Sequence, residues 1–306
     1  MKDLIKRAYE EGIKFADEGV VADYIPELAK EDKSKAGVVL INKDGDIFEA
    51  GEVEKTFSIQ SIVKVVAYLV ALEEIDPERI SEAIGVKPTA LPFNSVLDVE
   101  LGGGKPRNPY VNAGAMAVTG LLYEKFGDDT LDLVLNKVRD LADRDSIEVS
   151  ESIYESERDT AFNNRAIFYM MVARGVFNED MPVDKVANMY FRNCSILVNA
   201  KDLARISSVI ANDGLDVVSG KRKFDEKYGR TLRTVMAMCG MYDNSGEFAL
   251  KVGLPAKSGV GGGIISASPE GIGIGTYCPG LDEAGNSLVG QKMLEIITDE
   301  LDLSIY

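Results

Sequence analysis

The chain has 306 residues, with 34 Lys plus Arg against 50 Asp plus Glu and a formal net charge of −16. So acidic a protein is a poor partner for nucleic acid or an anionic membrane, because phosphate recognition needs a positive surface. It also contains no His, which excludes Ser-His-Asp triads, Cys-His dyads, His-ligated zinc and His acid–base pairs. Protons must then move through Lys, Tyr, Glu, Asp or Cys.

Hydrophobic residues make up 45% and charged residues 27%, the mixture of a folded protein rather than a disordered one. The length suits one large domain or two interlocked lobes. Cys194, Cys239 and Cys278 are far apart and form no C-x-x-C pair, so neither a thiolate metal site nor a redox motif is expected. The first residues form no signal-peptide apolar core, and no run of eighteen apolar residues can cross a bilayer. A reduced, cytoplasmic location without membrane contact is the expectation.

In chain order, about Met1 to Asp17 reads as an amphipathic outer helix. Tyr24 to Leu28 follows as a turn or tethering loop. Gly37–Ile41 and Asp46–Ala50, joined across Asn42-Lys43-Asp44-Gly45, make a β-hairpin, since Asp-Gly between apolar runs is a strong turn signal. Ser61 to Glu74 is a helix too apolar for one exposed face, and it must be buried. About Asp76 to Arg230 is mostly helical, broken at Gly102-Gly103-Gly104. Strands return at Leu250–Ser258, Gly263–Ala267 and Gly271–Gly275, and a last helix covers about Asn286 to Asp302.

Strands at both ends must pair into one antiparallel sheet, with the helices inserted as a lobe between them. The expected fold class is mixed α/β of the α+β kind. Residues 1–306 read as a single domain, with a sheet lobe of about 1–60 plus 231–306 and a helical lobe of about 61–230.

With His excluded, Ser followed three residues later by Lys is the pairing to seek, and it occurs once, at Ser61-Ile62-Val63-Lys64. Positions i and i+3 share a helical face, so the amine can reach the hydroxyl. A helix N-terminus also offers free N–H groups and a positive dipole end for a developing oxyanion. The flanking Ile62, Val63, Val65 and Val66 bury Lys64, and burial favours the neutral amine that accepts a proton. The second element is Lys257-Ser258-Gly259, followed by Val260 and three glycines. Lys-Ser-Gly at a strand end, far downstream of Ser-x-x-Lys, is the arrangement of the penicillin-recognising serine hydrolases.

Further segments carry a closer resemblance: Ala22–Ala29, Phe57–Lys64, Asn108–Ala115, Tyr190–Ser195, Met238–Gly246 and Asn286–Gly290. Together with Lys257–Gly263 they resemble the serine-dependent glutaminase family, from about Gly19 to Gly290. The resemblance implies a β-lactamase/transpeptidase-like fold, an amidohydrolase acting on L-glutamine, no metal or other cofactor, and a homo-oligomer. It implies Ser61 as nucleophile, Lys64 as base, Tyr190 or Tyr242 as proton carrier, and the N–H groups of Ser61 and Val260 as oxyanion hole. Tyr24, Gln60, Asn112, Glu157, Asn164, Tyr190, Tyr242 and Val260 fall on glutamine-contact positions, with Lys257, Ser258 and Gly259 supporting. Asn193 and Val63 depart from the family pattern, which usually has Gln and Ser there. The sequence around Asn164 is also less typical, and Asn163 is the alternative contact.

The chemistry of the ligand agrees with this set. Glutamine presents an ammonium, a carboxylate and a neutral amide; a buried Glu157 suits the first, and Asn112, Asn164 and Tyr24 suit the second. A β-lactamase-like hydrolase and a glutamine-binding or scaffold protein without turnover are the alternatives, separable by nitrocefin turnover and by binding without ammonia release.

Overall fold

The run Gly37-Val38-Val39-Leu40-Ile41 is apolar throughout because it forms a strand, β1, buried at all five positions. In the computed structural model, which describes residues 1–306, its alternate side chains enter two different cores. Val38 and Leu40 pack with Ile5, Ala8, Val289 and Met293 from the two terminal helices. Val39 and Ile41 join the larger cluster of the central helices. A strand covered on both faces needs no polar alternation.

β1 pairs with β2 (Ile47–Gly51), and the C-terminal strands are β3 (Ala256–Ser258), β4 (Gly263–Ala267) and β5 (Gly273–Tyr277). All neighbours are antiparallel, in the order β2-β1-β5-β4-β3. Val38 lies opposite Ala50 on one side and Thr276 on the other, so the two chain ends close one sheet, as expected. The glycines of β5 have a specific use. A Cβ on Gly273 would lie 2.1 Å from Ser208 N, and one on Gly275 2.4 Å from Ala204 N. Their absence lets helix Ala200–Ala211 lie directly on the sheet.

Helix Val63–Glu74 is buried from its first residue through Ala71, as its composition requires. Its first turn differs from the expectation: Gln60–Ile62 is a separate 3-10 turn feeding the helix. The N-terminal helix is also shorter, Lys2–Gly12, and tightens into a 3-10 segment over Ile13–Glu18. The expected strand over Leu250–Ser258 is corrected most. Ser245–Lys251 is helical and only Ala256–Ser258 pairs, because Gly253 turns left-handed at φ +69° before Pro255. The last helix is Leu288–Leu301, starting late because the Ser287 hydroxyl caps it through Gly290 N.

Candidate active site

The chain reaches Ser61 from a short ladder, Phe57–Ser58 against Leu197–Val198, extended by a 2.8 Å bond from Ile59 N to Ile196 O. Gln60 then takes φ +49°, a left-handed conformation that costs a side-chain-bearing residue energy and marks sites held for function. Of five such residues, three are Asp and the others are Gln60 and Tyr242, which both flank Ser61. The glycine run supplies the facing wall. A Cβ on Gly259 would lie 2.7 Å from Ile59 O, and one on Gly261 2.3 Å from Ser58 O. Glycine alone permits that approach. The N–H groups of Ser61 and Val260 take no backbone partner, so two donors stand free next to the nucleophile.

Lys64 is 1% exposed. Its amine donates to Tyr110 O at 3.0 Å and to Asn112 Oδ1 at 2.7 Å. Burial lowers its pKa to about 8, against smaller opposing effects of Cys194 and Glu157. A neutral amine has two N–H donors, and Lys64 has two acceptors. Its lone pair is therefore left for a proton from the preceding turn, where Ser61 sits.

The Tyr110 carbonyl is placed by its own segment: Asn108 Oδ1 accepts from Tyr110 N and Val111 N. A Cβ on Gly114 would strike Asn108 O at 1.9 Å, which explains the glycine in Asn-Pro-Tyr-Val-Asn-Ala-Gly.

Ser61 opens into a cavity of about 250 Å³ whose lining includes Tyr24, Gln60, Asn112, Glu157, Asn163, Asn164, Tyr190 and Val260. Asn112 is its hub. Its Oδ1 accepts from Lys64 and from Tyr190 OH at 3.3 Å, and its Nδ2 donates to Asn164 Oδ1 at 3.0 Å. Asn163 donates instead to Asn94 O, another lining residue, at 2.6 Å. Glu157 is buried with Oε2 unpaired. Burial raises its pKa to about 7, while the Gln60 hydrogen bond, then Lys64 and Cys194, hold it down. Tyr24 stands half-exposed at the mouth.

Lys64 and Tyr242 sit behind this lining. The Tyr242 ring packs on Phe93 at 4.9 Å, and Phe93 lines the cavity. Burial pushes its hydroxyl up to about 12, with Ser61 and Ser258 beside it pulling the other way. Lys257 and Ser258 are fully buried in β3 and do not line the cavity. A larger apolar cavity of about 470 Å³ lies beyond Phe93 and Tyr242, but neither Ser61 nor Glu157 lines it, so the chemistry belongs to the smaller one. No group of three Cys, Asp or Glu is arranged to hold a metal ion.

Sequence reasoning missed Tyr110, Phe93 and Asn94. A backbone carbonyl leaves no residue-type signature, although Tyr110 lay within a segment already singled out.

A protein-family model described as Glutaminase matches residues 19–306. The chain belongs to the glutaminase family. A glutaminase of Clostridium tetani is 41% identical over the full length of both chains, and glutaminase 2 of Clostridium perfringens is 40% identical over the same extent. Among solved structures, the probable glutaminase ybaS superposes with TM-score 0.93 at 36% identity, covering 100% of this chain and 99% of that one. A probable glutaminase from Bacillus subtilis complexed with 6-diazo-5-oxo-L-norleucine gives 0.88 at 29% identity, covering 100% and 97%. This glutaminase is therefore an amidohydrolase, and its sheet with inserted helices is the β-lactamase-like fold the resemblance implied. None of its helices is long and apolar enough to cross a membrane.

Proposed function

We propose that this glutaminase hydrolyses the side-chain amide of L-glutamine to L-glutamate and ammonia through an acyl-enzyme, with Ser61 as nucleophile and Lys64 as base. The observation that carries the reading is the buried Lys64, which forms no salt bridge and donates to two neutral acceptors one turn after Ser61. Lys64 takes the Ser61 hydroxyl proton, and Oγ bonds to the amide carbon. The oxygen becomes an oxyanion facing the free N–H groups of Ser61 and Val260. The tetrahedral intermediate collapses, its C–N bond breaks, and ammonia leaves after gaining a proton. Water then attacks the γ-glutamyl ester, the bond to Oγ breaks, and Ser61 recovers its proton.

Tyr242 is the preferred proton carrier. Both hydroxyls already donate, Tyr190 OH to Asn112 Oδ1 at 3.3 Å and Tyr242 OH to Ser258 O at 3.4 Å; Tyr242 is preferred because it lies beside Ser61. The unpaired Glu157 oxygen suits the substrate ammonium, because a buried carboxylate gains most from a cation. Asn112, Asn164 and Tyr24 would take the α-carboxylate, and Gln60 would hold Glu157. Ammonia release from L-glutamine by wild type and by Ser61→Ala tests the reading, with L-asparagine, D-glutamine and nitrocefin alongside. Release from L-glutamine by wild type alone is expected. Full release by the variant would remove Ser61 from the mechanism, and nitrocefin turnover without glutamine hydrolysis would favour a β-lactamase-like hydrolase.

The same reading takes residues 1–306 as one domain, cytoplasmic and homo-oligomeric. Three free, buried cysteines support a reducing compartment. Exposed Leu97, Leu101, Phe162 and Tyr169, on helices Val96–Leu101 and Phe162–Ala173, support self-association; sedimentation of the purified chain tests it.

A further inference from the structure

Tyr242 sits in the left-handed region at φ +56°; its ring is buried with Ile25, Leu28, Val260 and Leu281 and borders the 470 Å³ cavity, and its hydroxyl donates to Ser258 O at 3.4 Å. The backbone of the Gly240–Tyr242 segment, which places that ring, is tied down by a set of hydrogen bonds to the edge strand β3 and to the turn before the last helix. Ser258 N donates to Gly240 O at 3.3 Å. Lys257 Nζ donates to Gly240 O at 3.0 Å and Ser258 O at 2.5 Å, and it lies 4.2 Å from the centre of the Tyr242 ring. Asn286 Nδ2 donates to Met241 O at 3.4 Å, and its Oδ1 accepts from Ser258 Oγ at 2.5 Å. Asn286 is itself anchored, since its N–H donates to Asp282 Oδ1 at 2.9 Å. A Cβ on Gly240 would lie 1.7 Å from Ala256 O, so the segment is laid against the strand as closely as backbone allows.

We propose that Lys257 and Asn286 are positioning residues, two struts that hold Tyr242 beside Ser61 in the geometry needed for proton transfer. The inference rests on the assignment of Tyr242 as proton carrier made above. Lys257 is fully buried and faces two carbonyls, the Tyr242 ring, Cys239 and Lys64, with no carboxylate among them. Burial first, and Lys64 second, lower its proton affinity. An amine donating to two carbonyls is a hydrogen-bonded crosslink. Asn286 does the same from the other side with an amide, which donates to Met241 and accepts from Ser258. The Asn286-Ser287-Leu288-Val289-Gly290 segment thus reaches the site through Tyr242 rather than through the ligand.

The test is steady-state ammonia release by Tyr242→Phe, Lys257→Met, Ser258→Ala and the Tyr242→Phe/Lys257→Met double variant, with folding checked by circular dichroism. Tyr242→Phe is expected to lower kcat about 100-fold, the scale of a lost proton carrier. Lys257→Met is expected to lower kcat about 10- to 100-fold, as for a catalytic group displaced by an ångström, with KM within about threefold of wild type. In the Tyr242→Phe background it should cost less than about threefold more, because the group it positions is gone. Ser258→Ala removes the hydroxyl that anchors the Asn286 amide, loosening that strut while its bond to Met241 O remains, and it should follow the same pattern more weakly. If Lys257→Met does not fold, Ser258→Ala in both backgrounds decides by the same criterion. Wild-type kcat in Lys257→Met and Ser258→Ala beside an impaired Tyr242→Phe would overturn the struts, as would a Lys257→Met loss that adds fully to that of Tyr242→Phe. Full kcat in Tyr242→Phe would instead overturn the proton-carrier assignment, and the struts with it.

Discussion

Lys64, at the start of helix Val63–Glu74, and Lys257, in the edge strand β3, are both buried with amines turned to two oxygen acceptors. Neither forms a salt bridge, and burial lowers the proton affinity of each. The same physics therefore favours the neutral amine in both. Their neighbours separate them: Lys64 has a serine hydroxyl three residues back, and Lys257 has the face of a tyrosine. Burial makes an amine available as a base, but only position makes it one.

The largest effects should come from removing one lysine rather than the other. Lys64→Met is expected to lower kcat by about 10³-fold or more, at the upper range for a general base coupled to its nucleophile. Lys64→Arg should do the same, since a guanidinium does not deprotonate. Lys257→Met should lose about 10- to 100-fold through geometry alone. Equal losses at the two positions, measured as ammonia release, would erase the distinction.

A second contrast is between the base and the ligand carboxylate. Substitution of Glu157 by Gln is expected to raise KM by about 10- to 100-fold, the loss of one charge-assisted hydrogen bond, with kcat less affected. The variant should also be more stable than wild type above pH 7. The folded-state pKa of Glu157 is raised from 4.5 to about 7, so the stability it contributes is full below pH 4.5 and is lost as pH rises through 7. Replacing the buried carboxylate should recover on the order of 1–3 kcal/mol at pH 8, read as a higher Tm. A lower Tm for Glu157→Gln at that pH would contradict the burial argument.

The smallest effect is the shape of the pH profile. Lys64 must be neutral and Glu157 ionised, so kcat/KM should rise with pH through about 7 to 8 and level above that range. Activity already maximal at pH 6 would contradict a Lys64 base that titrates near 8.

Much of this was legible in residue types. Gly37 to Ile41 announced a hairpin strand, though not that both its faces are covered, and Ile62 to Val66 announced a buried Lys64. The cavity was anticipated through side chains, including Asn112, Glu157, Asn164 and Tyr190, which line it together. What stayed hidden depends on backbone atoms. The Tyr110 carbonyl that holds Lys64, and the Met241 and Gly240 carbonyls held by Asn286 and Lys257, belong to no side chain. The helix at Ser245–Lys251 was hidden for another reason: apolar Phe248, Leu250 and Val252 fit a strand as well as a helix turn, and Leu250 is in fact exposed. Gly273 and Gly275 read as loose strand residues until the helix on top of them is seen.

The most direct test of the central claim is the titration of the Lys64 amine itself. Side-chain nitrogen NMR of ¹⁵N-lysine-labelled protein, compared between wild type and Lys64→Met, identifies its signal. The account predicts a resonance that titrates near pH 8 and vanishes in the variant. A Lys64 signal that stays protonated beyond pH 10 would contradict it, because such an amine cannot take the Ser61 proton in the neutral range.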